Sequence, residues 1–207
     1  MSFLFTVTDA YIKDSNTDGL DCFSSAISIS ADGDYLTVGA EFEDSNSVGI
    51  NGNQSNNGAL NSGAVYIFTR SSGVWVQQAY IKAFNTETND NFGSALSLNA
   101  DGSKLVVGAS SEDSNAIGIG GNQADNSQSG SGAVYSYERL GSVWLVGDYI
   151  KASNAQSGDV FGIVITLSAD TNRLVIGALG EDSNATGIGG DQTNNAASFS
   201  GAVYVVE

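Results

Sequence analysis

The sequence predicts an all-β chain built from three equivalent four-stranded units, and three observations carry that prediction. The first is a repeat: Glu43-Asp44-Ser45-Asn46, Glu112-Asp113-Ser114-Asn115 and Glu181-Asp182-Ser183-Asn184 stand 69 residues apart, each followed by a Gly-Ile pair at 49–50, 118–119 and 187–188. The second is composition: Pro is absent, Gly numbers 26, and Ser, Asn and Asp are in excess, which suits short strands joined by turns. The third is alternation of apolar and polar residues with a period of two and no helical stripe. A period this long without helical patterning points to one β supersecondary unit per repeat, the arrangement of propeller blades.

Taken in order, the first strand of a unit carries Ile27 and Ile29, Leu96 and Leu98, or Ile165 and Leu167. Ser28, Ser97 and Thr166 lie between them and predict a small, polar second face. Tight turns follow at Asp32-Gly33, Asp101-Gly102 and Asp170-Thr171-Asn172. The second strands, Leu36–Ala40, Leu105–Ala109 and Leu174–Ala178, are nearly continuous apolar runs, which predicts cover on both faces. A long polar loop leads to the third strands, which begin Ala64-Val65-Tyr66, Ala133-Val134-Tyr135 and Ala202-Val203-Tyr204. The fourth strands carry Val74-Trp75-Val76 and Val143-Trp144-Leu145 and run into Tyr80-Ile81-Lys82 and Tyr149-Ile150-Lys151. Residues 1–10, with Phe3, Phe5 and Val7, read as a further copy of that fourth strand ahead of Tyr11-Ile12-Lys13.

The whole of 1–207 is thus one array, with repeats 11–79, 80–148 and 149–207, the last completed by 1–10. Three blades cannot surround an axis without exposed edges, so the ring is expected to close by oligomerisation. Two chains joined head to tail make six blades as a homodimer, and a trimer of nine blades ranks second.

Composition excludes several function classes. Twenty-three acids against seven bases give a net charge of −16, a field that repels nucleic acid and anionic lipid surfaces. His is absent, which removes Ser-His-Asp and Cys-His mechanisms and the common zinc sites. Cys22 is the one cysteine and is expected to be a small packed side chain beside Phe23. No apolar run approaches a membrane span, and the N-terminal residues lack the pattern of a signal peptide.

Phe92-Gly93 and Phe161-Gly162, followed about fifteen residues on by Val107-Gly108-Ala109 and Ile176-Gly177-Ala178, resemble the FG-GAP repeat of integrin-like β-propellers. The Gly-Ala-Val-Tyr strand strengthens the likeness, while Ser24 departs from it where Gly is expected. The sequence is similar to tandem FG-GAP repeats of bacterial surface or secreted proteins, which implies an extracellular or cell-surface adhesion or ligand-binding module. Integrin-like repeats often hold calcium in an Asp-rich hairpin loop. Here that loop offers only one or two carboxylates, too few for calcium's six to eight oxygens, so that site is not carried over.

The long loops are the candidate recognition element. Their Asn, Ser and Asp side chains suit Asx and Ser turns that satisfy the loop's own backbone. The sharper reading places a cation, calcium by its taste for oxygen, on Asp44, Asp113 and Asp182 with Asn46, Asn115 and Asn184. Ile50, Ile119 and Ile188 are expected to anchor each loop on its blade. Asp21, Asp90 and Asp159 precede the Phe slots and read as turn caps, and Trp75 and Trp144 as core or inter-blade packing. The candidate carboxylates, Asp21, Glu43 and Asp44 with their equivalents, recur in each repeat, so no catalytic constellation stands out. The function predicted is non-enzymatic binding of a protein or glycan ligand by the repeated acidic loops. The alternatives are a glycan-acting propeller enzyme using carboxylates or a scaffold with no ligand of its own.

Overall fold

A computed structural model describes residues 10–207, and every described element is β. The first sheet runs β1 (Ile27–Ile29), β2 (Tyr35–Ala40), β3 (Ala64–Ser71) and β4 (Val74–Ile81), in that spatial order. The second runs β5 (Phe92–Leu98), β6 (Lys104–Ala109), β7 (Ala133–Leu140) and β8 (Val143–Ile150). The third holds β9 (Phe161–Leu167), β10 (Leu174–Ala178) and β11 (Ala202–Val206). Each neighbouring pair is antiparallel, the outcome expected of meanders joined by turns rather than crossovers. Of the twelve predicted strands, eleven lie among the described residues. The twelfth is expected over residues 1–10, of which positions 1–9 lie outside the described residues.

The period of two sorts each sheet into a front face, turned to the preceding sheet, and a back face, turned to the following one. Val65, Ile67 and Ile81 on the back of the first sheet pack with Phe92, Leu105, Val107, Tyr135 and Tyr137 on the front of the second. Val106, Val134 and Ile150 on the back of the second pack with Phe161, Ile165, Leu174 and Ile176 on the front of the third. The two seams are copies of one another. Aromatic pairs fill both: Phe92 meets Tyr135 edge-on at 5.4 Å, and Phe161 meets Tyr204 at 5.3 Å.

The small polar residues of the first strands have a definite use. Leu98 N donates to Ser28 Oγ at 3.0 Å, and Leu167 N donates to Ser97 Oγ at 2.9 Å. Each first strand is thereby tied to the next by an outward backbone donor at the end of β5 or β9, each the outermost strand of its sheet. The Phe-Gly pairs hook onto the preceding sheet: Phe92 N donates to Ser62 O and Phe161 N to Ser131 O, both at 3.0 Å. Gly93 and Gly162 take φ of +94° and +93°, which turns their carbonyls toward the sheet in front. A Cβ on Gly39 or Gly108 would drive into the carbonyl oxygen of Gly93 or Gly162, so only glycine fits those sockets.

Two expectations are corrected. Cys22 is exposed rather than packed, because it sits at φ +54° in the turn ahead of Phe23 and not on a strand. The apolar cover expected on both faces holds for β6 but not for β10, where Val175 and Gly177 on the back face are only half-covered. Trp144 behaves as inter-blade packing: it is buried, and its Nε1 donates to Gln78 Oε1 of the first sheet at 2.9 Å.

Candidate functional site

The long loops join the second and third strands of each sheet and so emerge at one end of all three sheets. Each is closed at its neck by the aspartate that the sequence singles out. Asp44 Oδ1 accepts from Asn61 N, Asp113 Oδ1 from Gly130 N, and Asp182 Oδ1 from Phe199 N, all at 2.7 Å. The neck is completed through the backbone, with Ala59 N, Gln128 N and Ala197 N donating to the carbonyls of the same three aspartates. Asn46 N and Asn184 N each donate to a side-chain oxygen, Asn56 Oδ1 at 2.9 Å and Asn194 Oδ1 at 3.1 Å. The position matching those two acceptors in the second loop is Asp125, which caps Ser127 instead and leaves Asn115 without that bond.

The structure therefore sets Asp44, Asp113 and Asp182 in three separate loops, each with a carboxylate oxygen engaged by a backbone N–H. Among the described residues, no group of three His, Cys, Asp or Glu converges on a point that could hold a metal ion. One neck carboxylate per loop, with an oxygen already engaged by a backbone N–H, is a poor match for calcium's need for six to eight oxygens. The hairpin turns are equally self-contained. Asp101 Oδ1 accepts from Ser103 N at 2.8 Å, and the hydrogen bonds with Ser103 hold its carboxyl below the usual range.

The isoleucine anchors differ between loops, and the Ile50 side chain is half-buried against the core as expected. Ile50 bridges Ile81 and Ile119 bridges Ile150, yet the Ile119 side chain is exposed, and Ile188 is fully exposed. The expected apolar anchor is thus met by Ile50, while Ile119 keeps only the short β-bridge to the end of the fourth strand.

Beneath the first two loops lies a buried ionic cluster that sequence reading passed over. Lys82 Nζ donates to Glu43 Oε2 at 2.8 Å and to Ser62 Oγ at 2.7 Å. Lys151 Nζ donates to Glu112 Oε2 at 2.8 Å and to Ser131 Oγ at 2.6 Å. Tyr149 OH donates to the other oxygen of Glu112 at 2.8 Å, and Asn85 Nδ2 does so at 3.1 Å. Burial lowers the affinity of both lysines for their protons, and the facing glutamates oppose it. One signal was available: of the chain's four lysines, three follow Tyr-Ile at the repeat spacing, in a chain poor in bases.

Asp90 and Asp159 cap their turns, accepting from Glu87 N at 2.9 Å and Gln156 N at 2.8 Å. Burial pushes the Asp90 carboxyl up to about 8 and raises that of Asp159. Such a carboxyl in an open cleft would suggest acid catalysis, but both are buried beneath their own turns.

What faces solvent is the groove between the first and second loops, lined by Val48, Phe84, Glu87, Asn122 and Gln123. Val48 and its counterpart Ile117 stand exposed among amides and carboxylates. Such a surface combines apolar contact with abundant hydrogen-bonding groups.

Residues 75–137 match the FG-GAP repeat, a span that runs from β4 through the Phe92-Gly93 hook and the second long loop into β7. No curated protein matches the chain.

Proposed function

We propose that this chain, which carries an FG-GAP repeat at 75–137, is a propeller-type binding module that acts without turnover. Its ligand is a protein or glycan taken up at the loop edge of the sheets, in an extracellular or cell-surface setting. The observation that carries this reading is the groove beside Val48. There the loops are held in shape by their own Asx and backbone bonds, so exposed apolar and amide side chains are presented on a fixed frame. Binding without turnover is supported by the absence of His from the sequence and by the threefold recurrence of the loop and turn acids Glu43, Asp44, Asp21 and Asp32 at the repeat spacing.

A glycan and protein array probed with the labelled chain tests the proposal. Signal on a defined ligand that falls at least about tenfold in the double variant Val48→Asp, Ile117→Asp supports it, since loss of central contacts costs about 1.4 kcal/mol or more. Signal that is unchanged in the variant overturns the site. Hydrolysis of the bound glycan, lost on replacing one carboxylate, overturns binding without turnover.

A further inference from the structure

The third sheet ends in a set of partners that are missing from it and present, unmatched, at the front of the first. Glu181 is buried to the same degree as Glu43 and Glu112, and it keeps the same local bonds: Asn154 Nδ2 donates to it at 3.1 Å and Ser183 N at 3.1 Å. Among the described residues, however, no lysine reaches it, and Ser200 receives none of the lysine contacts that Ser62 and Ser131 receive. A buried carboxylate without its cation is costly, so the slot is built for one.

The same third sheet presents an unoccupied back face. Val203 and Val164 are 70% and 65% exposed, whereas the matching Val65 and Val134 are fully buried and Ala95 nearly so. A Cβ added to Gly177 would meet only Val164 of its own sheet, at 3.6 Å, although its counterparts Gly39 and Gly108 are filled by a neighbour's carbonyl.

The complementary set stands at the front of the first sheet. Ile27 and Ile29 are 66% and 56% exposed, while Leu98 and Ile165 in matching positions are buried by a preceding sheet. Phe23-Ser24 occupies the hook position, with Ser24 at φ +85° beside the +94° and +93° of Gly93 and Gly162. Tyr11 is 91% exposed although Tyr80 and Tyr149 are buried, and the Lys13 ammonium, 3.7 Å from Asp14 and 5.6 Å over the Phe23 ring, reaches no glutamate of the kind that holds Lys82 and Lys151. Lys13 is one repeat before Lys82, as Lys82 is one repeat before Lys151.

From these we infer that the back of the third sheet docks on the front of the first sheet of a second copy. Lys13 of that copy then pairs with Glu181 and Ser200, its Phe23-Ser24 hook enters the socket at Gly177, and its Ile12 lies beside Ile188. The contact repeats the seam that the chain makes twice within itself, and two such seams close two chains into a six-bladed ring. The seam between copies differs at one place. A Cβ on Gly93 would lie 2.6 Å from Ala64 O, so the Cβ of Ser24 forces Ala202 of the partner chain to give way. This makes the seam between copies looser than the internal ones. The inference does not depend on the loops binding a ligand.

Light scattering across a concentration series tests it. The parent chain is expected at twice 21.2 kDa. Lys13→Met removes the cation, and Gly177→Ala blocks the socket while meeting nothing close in its own fold, so each should return the mass to 21.2 kDa. An equimolar mixture of the two variants should regain the doubled mass, because the front of one and the back of the other still form an intact seam. Ser24→Gly should strengthen association several-fold. A parent chain that stays at 21.2 kDa at every concentration overturns the inference, as does a dimer indifferent to both variants. Open polymers in place of a dimer overturn the two-chain ring.

Discussion

Lys151 Nζ lies 2.8 Å from Glu112 Oε2, and both side chains are sealed from solvent. The pair joins the end of β8 to the base of the second long loop, so it fastens the loop edge to the sheet. Removing one member leaves the other charged and buried, which costs more than the pair contributes. Lys151→Met should therefore lower stability by about 3–5 kcal/mol in urea unfolding, and adding Glu112→Gln should recover much of that loss. Equal destabilisation by the single and double variants would show that the charge pairing is immaterial.

The Asp90 carboxyl gives the fold a pH dependence of known sign. Its folded value is about 8 against 3.8 for the free group, because burial penalises the charged form. The folded chain therefore holds this proton where the unfolded chain releases it. Stability from this group is fully present below about pH 4 and is lost as pH rises towards about 8. Asp90→Asn keeps an acceptor for Glu87 N and removes the titration. Denaturant midpoints should converge for parent and variant near about pH 4, and the variant should be the more stable near about pH 8. Parallel curves across that range would contradict the assignment.

Much of this was legible in the residues, and the parts that were not have physical reasons. Ser28 and Ser97 announced a small polar face because strands alternate, and the structure makes them acceptors for Leu98 N and Leu167 N. Phe92-Gly93, by its spacing from Val107-Gly108-Ala109, carried the likeness to the FG-GAP repeat, but the hook it forms shows only in the bond from Phe92 N to Ser62 O. Its socket did not show, because nothing in Gly39 or Gly108 says which neighbour's carbonyl will fill it. Lys82 and Glu43 looked like loop and strand-end residues, since charges are rarely buried; only the contact between segments 39 residues apart makes them a pair. Asp44, Asp113 and Asp182 drew attention as cation ligands by residue type. Their oxygens face backbone N–H groups 17 residues on, a closure that composition does not encode.

Asp113 is predicted to act as the clasp of its loop. Asp113→Ala strips Gly130 N of its acceptor, a loss comparable to that of a helix cap, about 1 kcal/mol. Hydrogen exchange at Gly130 and its neighbours should accelerate while β6 and β7 keep their protection. Unchanged exchange in the loop would assign its order to the backbone bonds alone.

The central claim is that consecutive sheets are held by Phe-Gly hooks seated in glycine sockets, and unfolding of Gly108→Ala tests it most directly. The added methyl group must displace the Gly162 carbonyl, a backbone atom with no freedom to rotate away. The account predicts a loss of about 3 kcal/mol, the upper end of overpacking costs, in urea unfolding, with faster amide exchange in β9 and β10 than in β5 and β6. A Gly108→Ala chain as stable as its parent, with β9 and β10 still protected, would contradict it.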